Sequence, residues 1–311
     1  MLLLGDVRFD GKAAVQTVKT NLTIDLNGYT MGDTLTGTSL LSLNIDSLHL
    51  HVSSSRPGGC IWCTRPYDGR IYAVQCSKGQ LSLDHVTVET TNTSDTLLKA
   101  SACGVNIGKT AILQMSDCTV RTSARTNAYG VNTYDAVTIE RCVMEVQADS
   151  VNAYGIYLNR DTSLLEKEAH VAYTAMRIKA LQKAYGLLNY GTVSLHHDSI
   201  YTRSVLNDSY AFYSGKSYAH GEASQCVFLS QAGTITCSGA NISGGGLVAE
   251  DCVFSGTSRM EGYQEITSGN TRGIAAGANT SLVLRRCLIS AQGTNIPMTK
   301  SVSGLAGNAT T

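Results

Sequence analysis

The chain has 311 residues with 24 basic and 24 acidic side chains, so its formal net charge is zero. This balance offers no basic face to nucleic acid or to an anionic membrane surface, and no apolar run reaches the ~18 residues that a membrane span needs. Only 15% of the residues are charged, which leaves a surface of Ser, Thr, Asn and Gly, common where sugars are the partner. Few prolines and abundant Val, Thr, Ile and Tyr favour strands over helices.

Two short patterns alternate along the chain and predict strands. The first is Tyr-Gly-aliphatic, which begins with AYGV at 128–131 and returns at 153–156, 184–187 and, as SYAF, at 209–212. The second is aliphatic-x-aliphatic-x-x-Cys, with copies LQMSDCTV (113–120), VTIERCVM (137–144), LVAEDCVF (247–254) and LVLRRCLI (282–289). Each period of about 25 to 30 residues therefore holds a Tyr-Gly strand, an aliphatic strand and a third short strand.

This repeat excludes the helical solenoids, because its apolar residues do not follow the i, i+3, i+4 spacing of a helix. It is also too short for the four-stranded blade of a propeller. We therefore predict an all-β parallel β-helix, a solenoid with three short strands per coil and roughly 9–11 coils stacked ~4.8 Å apart. Cysteines that share one repeat position are expected to stack as small buried residues with free thiols.

The segment NLTIDLNGYTM (21–31) resembles the opening coil of the pectin-lyase-like β-helix superfamily. The Cys-x-[Val/Phe] segments resemble the repeated strand of the same superfamily, and the resemblance covers about residues 3–296. It implies a right-handed parallel β-helix. It implies no particular activity, because this fold carries lyases, hydrolases, adhesins and inert spacers.

The repeats predict one domain over residues 1–311. Residues 1–50 form the first coils, 51–70 a loop excursion, 71–296 the regular coils, and 297–311 a tail or the stub of a further coil. The chain starts inside a strand-like pattern without a secretory signal, so we expect a segment of a longer protein whose signal lies upstream.

Four residues are candidates for catalysis. Arg177-Ile178-Lys179 resembles the Arg-Ile-Lys tripeptide of polygalacturonase-like hydrolases, and this resemblance implies that Arg177 and Lys179 hold a uronate. Asp135 and Asp161 fall at equivalent points of consecutive coils, so one coil spacing brings their carboxyl groups near enough to act as an acid–base pair. The other hydrolase motifs are absent or out of order, and turn formation is the alternative role of both aspartates.

Five ring-bearing residues are candidates for ligand binding: Trp62, Tyr129, Tyr154, Tyr185 and His196. Trp62 is the single tryptophan, and it either stacks on a sugar ring or packs in the core. The tyrosines form either an exposed ladder for a polysaccharide or a half-buried packing ladder. We expect any site to lie on the face that holds Asp135, Asp161, Lys179 and His196.

The sequence predicts no metal site and no cofactor. Ca²⁺ is the alternative, because Leu83-Asp84-His85 resembles the Ile-Asp-His segment of pectate lyases, but Ca²⁺ needs six to eight oxygen ligands. Cys60-Ile-Trp-Cys63 predicts structural thiols in a turn, with a local disulfide or a metal pair as alternatives. Asp198 takes the repeat position that elsewhere holds Cys, and a carboxylate there needs a polar partner.

Three functions compete on these grounds. The favoured one is a segment of a bacterial cell-surface or secreted protein, an adhesin or scaffold that binds a polysaccharide or a host glycoprotein and is not an enzyme. The second is a polysaccharide lyase or glycoside hydrolase that acts on uronic-acid-containing glycans. The third is a phage tailspike-like receptor-binding or depolymerase module. The missing hydrolase motifs disfavour the second, and the many cysteines disfavour the third.

Overall fold

The computed structural model describes residues 1–9, 16–95, 100–160, 168–233, 236–259, 270–294 and 301–307. Every regular element in these ranges is a β-strand, and neighbouring coils pair in parallel. Each coil adds one strand to each of three sheets, which we number I, II and III in chain order. The predicted all-β parallel β-helix is confirmed, and its architecture fits the pectin-lyase-like resemblance.

Sheet III is built from β1 (Val7–Arg8), β4 (Thr30–Thr34), β6 (Cys60–Arg65), β8 (Thr87–Asn92), β10 (Thr119–Ala124), β13 (Val143–Ala148), β16 (Ala175–Ala180), β19 (Ser199–Ser204), β22 (Val227–Ala232), β25 (Val253–Arg259) and β28 (Leu288–Thr294). Sheet I is built from β2 (Gln16–Val18), β11 (Asn127–Thr133), β14 (Asn152–Leu158), β17 (Lys183–Asn189), β20 (Ser209–Ser214), β23 (Cys237–Ile242), β26 (Asn270–Ala276) and β29 (Ser301–Gly307). Sheet II is built from β3 (Leu22–Asp25), β12 (Val137–Glu140), β15 (Glu168–Ala172), β18 (Thr192–His196), β21 (His220–Ser224), β24 (Gly246–Glu250) and β27 (Ser281–Arg285). Three longer strands pass through both sheet I and sheet II: β5 (Ser39–Ser53), β7 (Gly69–Asp84) and β9 (Ala100–Ser116).

The core lies inside the solenoid and is formed by alternate residues of each strand. On β16, Met176 and Ile178 point inward and are buried, while Arg177 and Lys179 between and beyond them are exposed. Like residues stack on like across coils, and the rings of Phe228 and Phe254 lie 4.8 Å apart and nearly parallel. The repetition of the sequence is therefore a packing requirement of one coil on the next. No helix occurs in the described ranges, and hence none long and apolar enough to cross a bilayer.

The predicted loop excursion at 51–70 is wrong in its extent. This stretch contains the end of β5, all of β6 and the start of β7, because Ile61 and Cys63 supply the inward apolar pattern of a sheet III strand. Cys60 and Cys63 also do not form a turn. They are three residues apart on one strand and therefore point to opposite faces, which separates the two thiols and disfavours both a local disulfide and a metal pair between them.

The turn between sheets II and III holds the cysteine ladder. A residue with positive φ, such as Asp117 (53°) or Gln225 (54°), precedes each ladder position. The thiol of Cys226 donates to the Ser224 carbonyl oxygen (3.2 Å), and the backbone N–H of Cys226 donates to the sulfur of Cys252 in the next coil (3.4 Å). Cysteine suits this position because its small thiol both donates and accepts in a buried site.

All ten cysteines are free, as predicted for those at the shared repeat position, and eight of the ten are buried. Cys60 and Cys287 are half-buried, and burial raises the pKa of Cys60 to about 12. Because the thiolate is the reactive form, we expect an aromatic disulfide reagent at pH 8 to modify at most two thiols of the native protein, and slowly. All ten should react in urea, in a spectrophotometric thiol titration. Rapid reaction of more than two thiols in the native protein would contradict the buried ladder.

Candidate functional site

The outer face of sheet III carries two rows of polar side chains that run along the solenoid axis. Hydrogen-bonded register places Glu89, Arg121, Glu145 and Arg177 in one row, on β8, β10, β13 and β16. The second row lies two residues further along the same strands and includes Gln147 and Lys179. Neighbours within a row are one strand spacing apart, about 4.8 Å.

These rows line an open groove of about 510 Å³. We call it the charged groove and define it by Glu89, Arg121, Glu145, Gln147, Arg177 and Lys179. A smaller depression of about 310 Å³ continues it past Gln147 and Lys179 toward Arg203. The charged groove therefore extends over at least four coils of the solenoid.

The cations of the charged groove differ in how far they are already neutralised. Arg121 donates to Glu89 Oε1 (2.9 Å) and to Glu145 Oε2 (3.1 Å), and these hydrogen bonds raise the pKa of the arginine. Arg177 lies 3.7 Å from Glu145 Oε1, and its side chain is 70% exposed. Lys179 is exposed on the same strand. Arg177 and Lys179 thus present positive charge to solvent, whereas Arg121 is held between two carboxylates.

The predicted catalytic residues do not share one face. Asp135 is fully buried in the turn between sheets I and II, where its Oδ1 accepts the Ala136 N–H (2.6 Å) and its carbonyl oxygen accepts from Arg160 Nη2 (3.0 Å). Lys179 lies on the outer face of sheet III, the side of the coil opposite that turn. Asp161 lies outside the described residues. The expectation of a single face was wrong because Asp135 and Lys179 occupy different positions within the repeat.

The predicted tyrosine ladder exists on the outer side of sheet I. The ring centroids of Tyr129 and Tyr154 are 4.8 Å apart with planes 7° from parallel, and those of Tyr154 and Tyr185 are 5.2 Å apart at 4°. The guanidinium carbon of Arg70 lies over Tyr129, 5.3 Å from its ring centroid. Because neighbouring rings cover both faces of Tyr154, and burial raises its pKa, the arrangement supports packing over sugar stacking.

The other two ring residues lie in separate places. His196 ends β18 on sheet II, where its Nδ1 is 2.6 Å from Ser224 Oγ and its ring is edge-on to Tyr173. Trp62 lies on the outer face of sheet III, in register with Glu89 of the charged groove. The structure therefore brings Trp62, Arg177 and Lys179 to one surface and leaves His196 at another corner.

One cluster of metal-ligand side chains lies at the turn between sheets II and III. Ligand atoms of Asp84, His85 and Asp117 are all within 4.8 Å of one another. Asp84 Oδ1 accepts from Ser116 (2.6 Å), and Arg141 binds both oxygens of Asp117. The hydrogen bonds from Arg141 hold the pKa of Asp117 below its usual range. A cation at this cluster would compete with the guanidinium, so the arrangement is that of an ion-pair network.

Asp198 replaces cysteine in the ladder, as the sequence indicated. Its carboxyl group is buried and accepts the backbone N–H groups of Thr174 (2.8 Å) and His196 (3.0 Å). Burial nonetheless raises the pKa of Asp198 to about 7. The polar partners that a buried carboxylate needs are backbone donors, and the group titrates near neutral pH.

The sequence did not indicate Glu89, Arg121 and Glu145 as site residues. They come from three different coils, and each stands alone on its strand among uncharged neighbours. The usable signal was the register of the repeats: aligning the Cys-x-[Val/Phe] segments places these three residues and Arg177 at one position, three residues after the ladder residue.

The chain is a parallel β-helix, and the charged groove lies on the outer face of its sheet III. No protein-family model and no curated protein matches the chain. Among solved structures the chain is similar to the A-module of the mannuronan C-5 epimerase AlgE6 of Azotobacter vinelandii. The alignment has 10% identity and a TM-score of 0.26, and it covers 96% of this chain and 89% of that one. At these values the similarity carries no argument about function.

Proposed function

We propose that this chain is a bacterial cell-surface or secreted β-helix scaffold that binds an acidic polysaccharide along the charged groove. The observation that carries the proposal is the pair Arg177 and Lys179, both exposed on β16 and both lining that groove. Cations placed one strand spacing from further polar groups suit a chain of repeated carboxylates better than a single small anion. Because only 15% of the residues are charged, few other surface cations compete with Arg177 and Lys179 for an anionic partner.

Binding is favoured over catalysis by the state of the carboxylates. Acid–base cleavage needs accessible carboxyl groups on either side of the scissile bond. Asp135 is fully buried, and the carboxylates of Glu145 and Glu89 accept hydrogen bonds from Arg121. These observations support a surface that holds a glycan rather than one that cuts it, so we propose a non-enzymatic role.

The groove cations should control affinity for a polyuronate. We expect the double substitution Arg177→Gln with Lys179→Gln to weaken the binding of polygalacturonate about 10- to 100-fold, because each lost charged hydrogen bond is worth roughly 1.5–3 kcal/mol. Glu145→Gln should instead strengthen binding about threefold, since it removes the carboxylate that pairs with Arg177 and one of the two that pair with Arg121. Isothermal titration calorimetry at low and high salt measures both effects, and salt should weaken the wild type most.

The matched control is Lys216→Gln. Lys216 lies at the corner between sheets I and II, on the opposite side of the coil, where its ammonium group is 5.4 Å from the ring centroid of Tyr190. It removes the same charge from the same residue type as Lys179→Gln and should leave affinity unchanged. Equal losses of affinity in the single variants Lys179→Gln and Lys216→Gln, both measured in the same way, would indicate a nonspecific charge effect and contradict the proposed groove.

A further inference from the structure

Trp62 lies at one end of the charged groove. Its backbone pairs with Gly32 of β4 on one side and with Glu89 of β8 on the other, so it continues the row of Glu89, Arg121 and Glu145 by one coil. The side chain is only half-buried, although it is the single tryptophan of the chain. An aromatic side chain of this size on an outer face is a surface available to a partner.

The indole lies over a glycine. A Cβ atom on Gly32 would come within 2.6 Å of Cδ1 and 2.5 Å of Cδ2 of Trp62, so the five-membered part of the indole occupies the space that any other residue would fill. The neighbouring coil therefore supports the ring from the sheet side. Such a supported ring gives contact area at a low cost in conformational entropy, because its orientation is already fixed.

A cation lies over the indole ring. Arg8 is in register with Gly32, is exposed, and places its guanidinium carbon 5.4 Å from the centroid of the Trp62 ring. Along the solenoid axis the outer face of sheet III therefore presents Arg8, then the indole of Trp62, and then the alternating charges of the charged groove. A uronate residue offers both matching features, a C–H face for the indole and a carboxylate for the guanidinium.

We infer that Trp62 and Arg8 form an aromatic subsite in which one pyranose ring of the bound acidic polysaccharide packs against the indole while its carboxylate pairs with Arg8. This inference rests on the proposed function, since the same polymer continues into the charged groove. Because Trp62 and Arg177 belong to one row, a polymer that contacts both residues lies along the solenoid axis.

The test titrates the wild-type protein with oligogalacturonate of about ten residues and follows calorimetry and tryptophan emission in parallel. Because Trp62 is the only tryptophan, its emission should change with the midpoint that calorimetry gives. Trp62→Ala should weaken binding about 10- to 30-fold and Trp62→Phe less, since a phenyl ring keeps part of the face. Arg8→Gln should weaken binding about threefold to tenfold, and this loss should shrink at high salt.

Tyr67→Ala is the control, because Tyr67 is also an exposed aromatic but lies outside the row, between the end of β6 and the start of β7. Urea unfolding midpoints establish that each variant is folded. Binding by calorimetry with unchanged emission, and with unchanged affinity in Trp62→Ala, would overturn the subsite and leave the proposed groove in place. Absence of any heat of binding in the wild type would overturn the proposed function and the subsite together. A loss confined to the tryptophan and Arg8 variants supports both.

Discussion

Asp198→Cys should make this protein more stable at pH 8, by about 2–4 kcal/mol. Burial raises the folded-state pKa of Asp198 from 3.8 to about 7. The contribution of Asp198 to the free energy of unfolding is therefore fully present below pH 4 and is lost as the pH rises through 7. The total loss of stability is on the order of 4 kcal/mol, at 1.36 kcal/mol per pKa unit. Cysteine removes this ionisation and restores the ladder pattern, in which a backbone N–H donates to the next sulfur.

The measurement is the free energy of urea unfolding at several pH values from 4 to 8. The wild type should lose stability as the pH rises, and Asp198→Cys should show a flatter profile over this range. Asp198→Asn should also flatten the profile, since it removes the same ionisation. Asp95→Asn is the matched control, because Asp95 is fully exposed, and it should keep the wild-type profile. Parallel profiles for wild type and Asp198→Cys would show that Asp198 is not the titrating group.

Gly186→Ala is expected to destabilise the fold by about 3 kcal/mol. Gly186 belongs to the Tyr-Gly repeat on β17, and a Cβ atom there would lie 2.1 Å from Ile200 Cγ2 and 2.4 Å from the carbonyl oxygen of Ala211 in the next coil. Gly155 meets the corresponding oxygen of Gly186 at 2.5 Å. At Gly155 and Gly186 the backbones of successive coils approach too closely for a side chain, and overpacking a buried site costs roughly 1–3 kcal/mol or more.

Gly277→Ala is the matched control for this substitution. A Cβ atom on Gly277 would meet its nearest neighbours, Ile242 O and Ser243 O, at an ordinary 3.5 Å. Its unfolding free energy should therefore change by less than about 0.5 kcal/mol. Chemical denaturation followed by far-ultraviolet circular dichroism compares the two variants. Equal stability of Gly186→Ala and wild type would mean that the coils can separate at the Tyr-Gly position without cost.

The two expected results concern the same physical rule. In a parallel solenoid each position packs against the equivalent positions of the coils above and below. A residue must therefore be compatible with the residue types at those positions. The ladder accepts Cys and Thr but is perturbed by the carboxylate of Asp198. The Tyr-Gly position holds Leu40, Ala73 or Ala211 in three coils, but it leaves no room for a methyl group at Gly186.

The sequence by itself determined the β-helix, its three strands per coil and the buried free thiols. These features follow from the periodicity of the sequence, because equivalent positions stack on one another and therefore require similar residue types in every coil. It also determined that Arg177 and Lys179 point outward together, since they flank the apolar Ile178 on one strand and side chains alternate with a period of two.

Aligning the repeats indicates which outward residues of different coils share a row, but only the tertiary structure decided where each candidate lies on the coil and how exposed it is. Asp135 lies in the turn between sheets I and II and is buried, whereas Lys179 lies on the outer face of sheet III and is exposed. Trp62, predicted in a loop, lies instead on a strand, over Gly32 and beside the charged groove. Register between coils comes from interstrand hydrogen bonds and core packing, which are long-range contacts, and it is this register that assembles the groove from single residues of separate repeats.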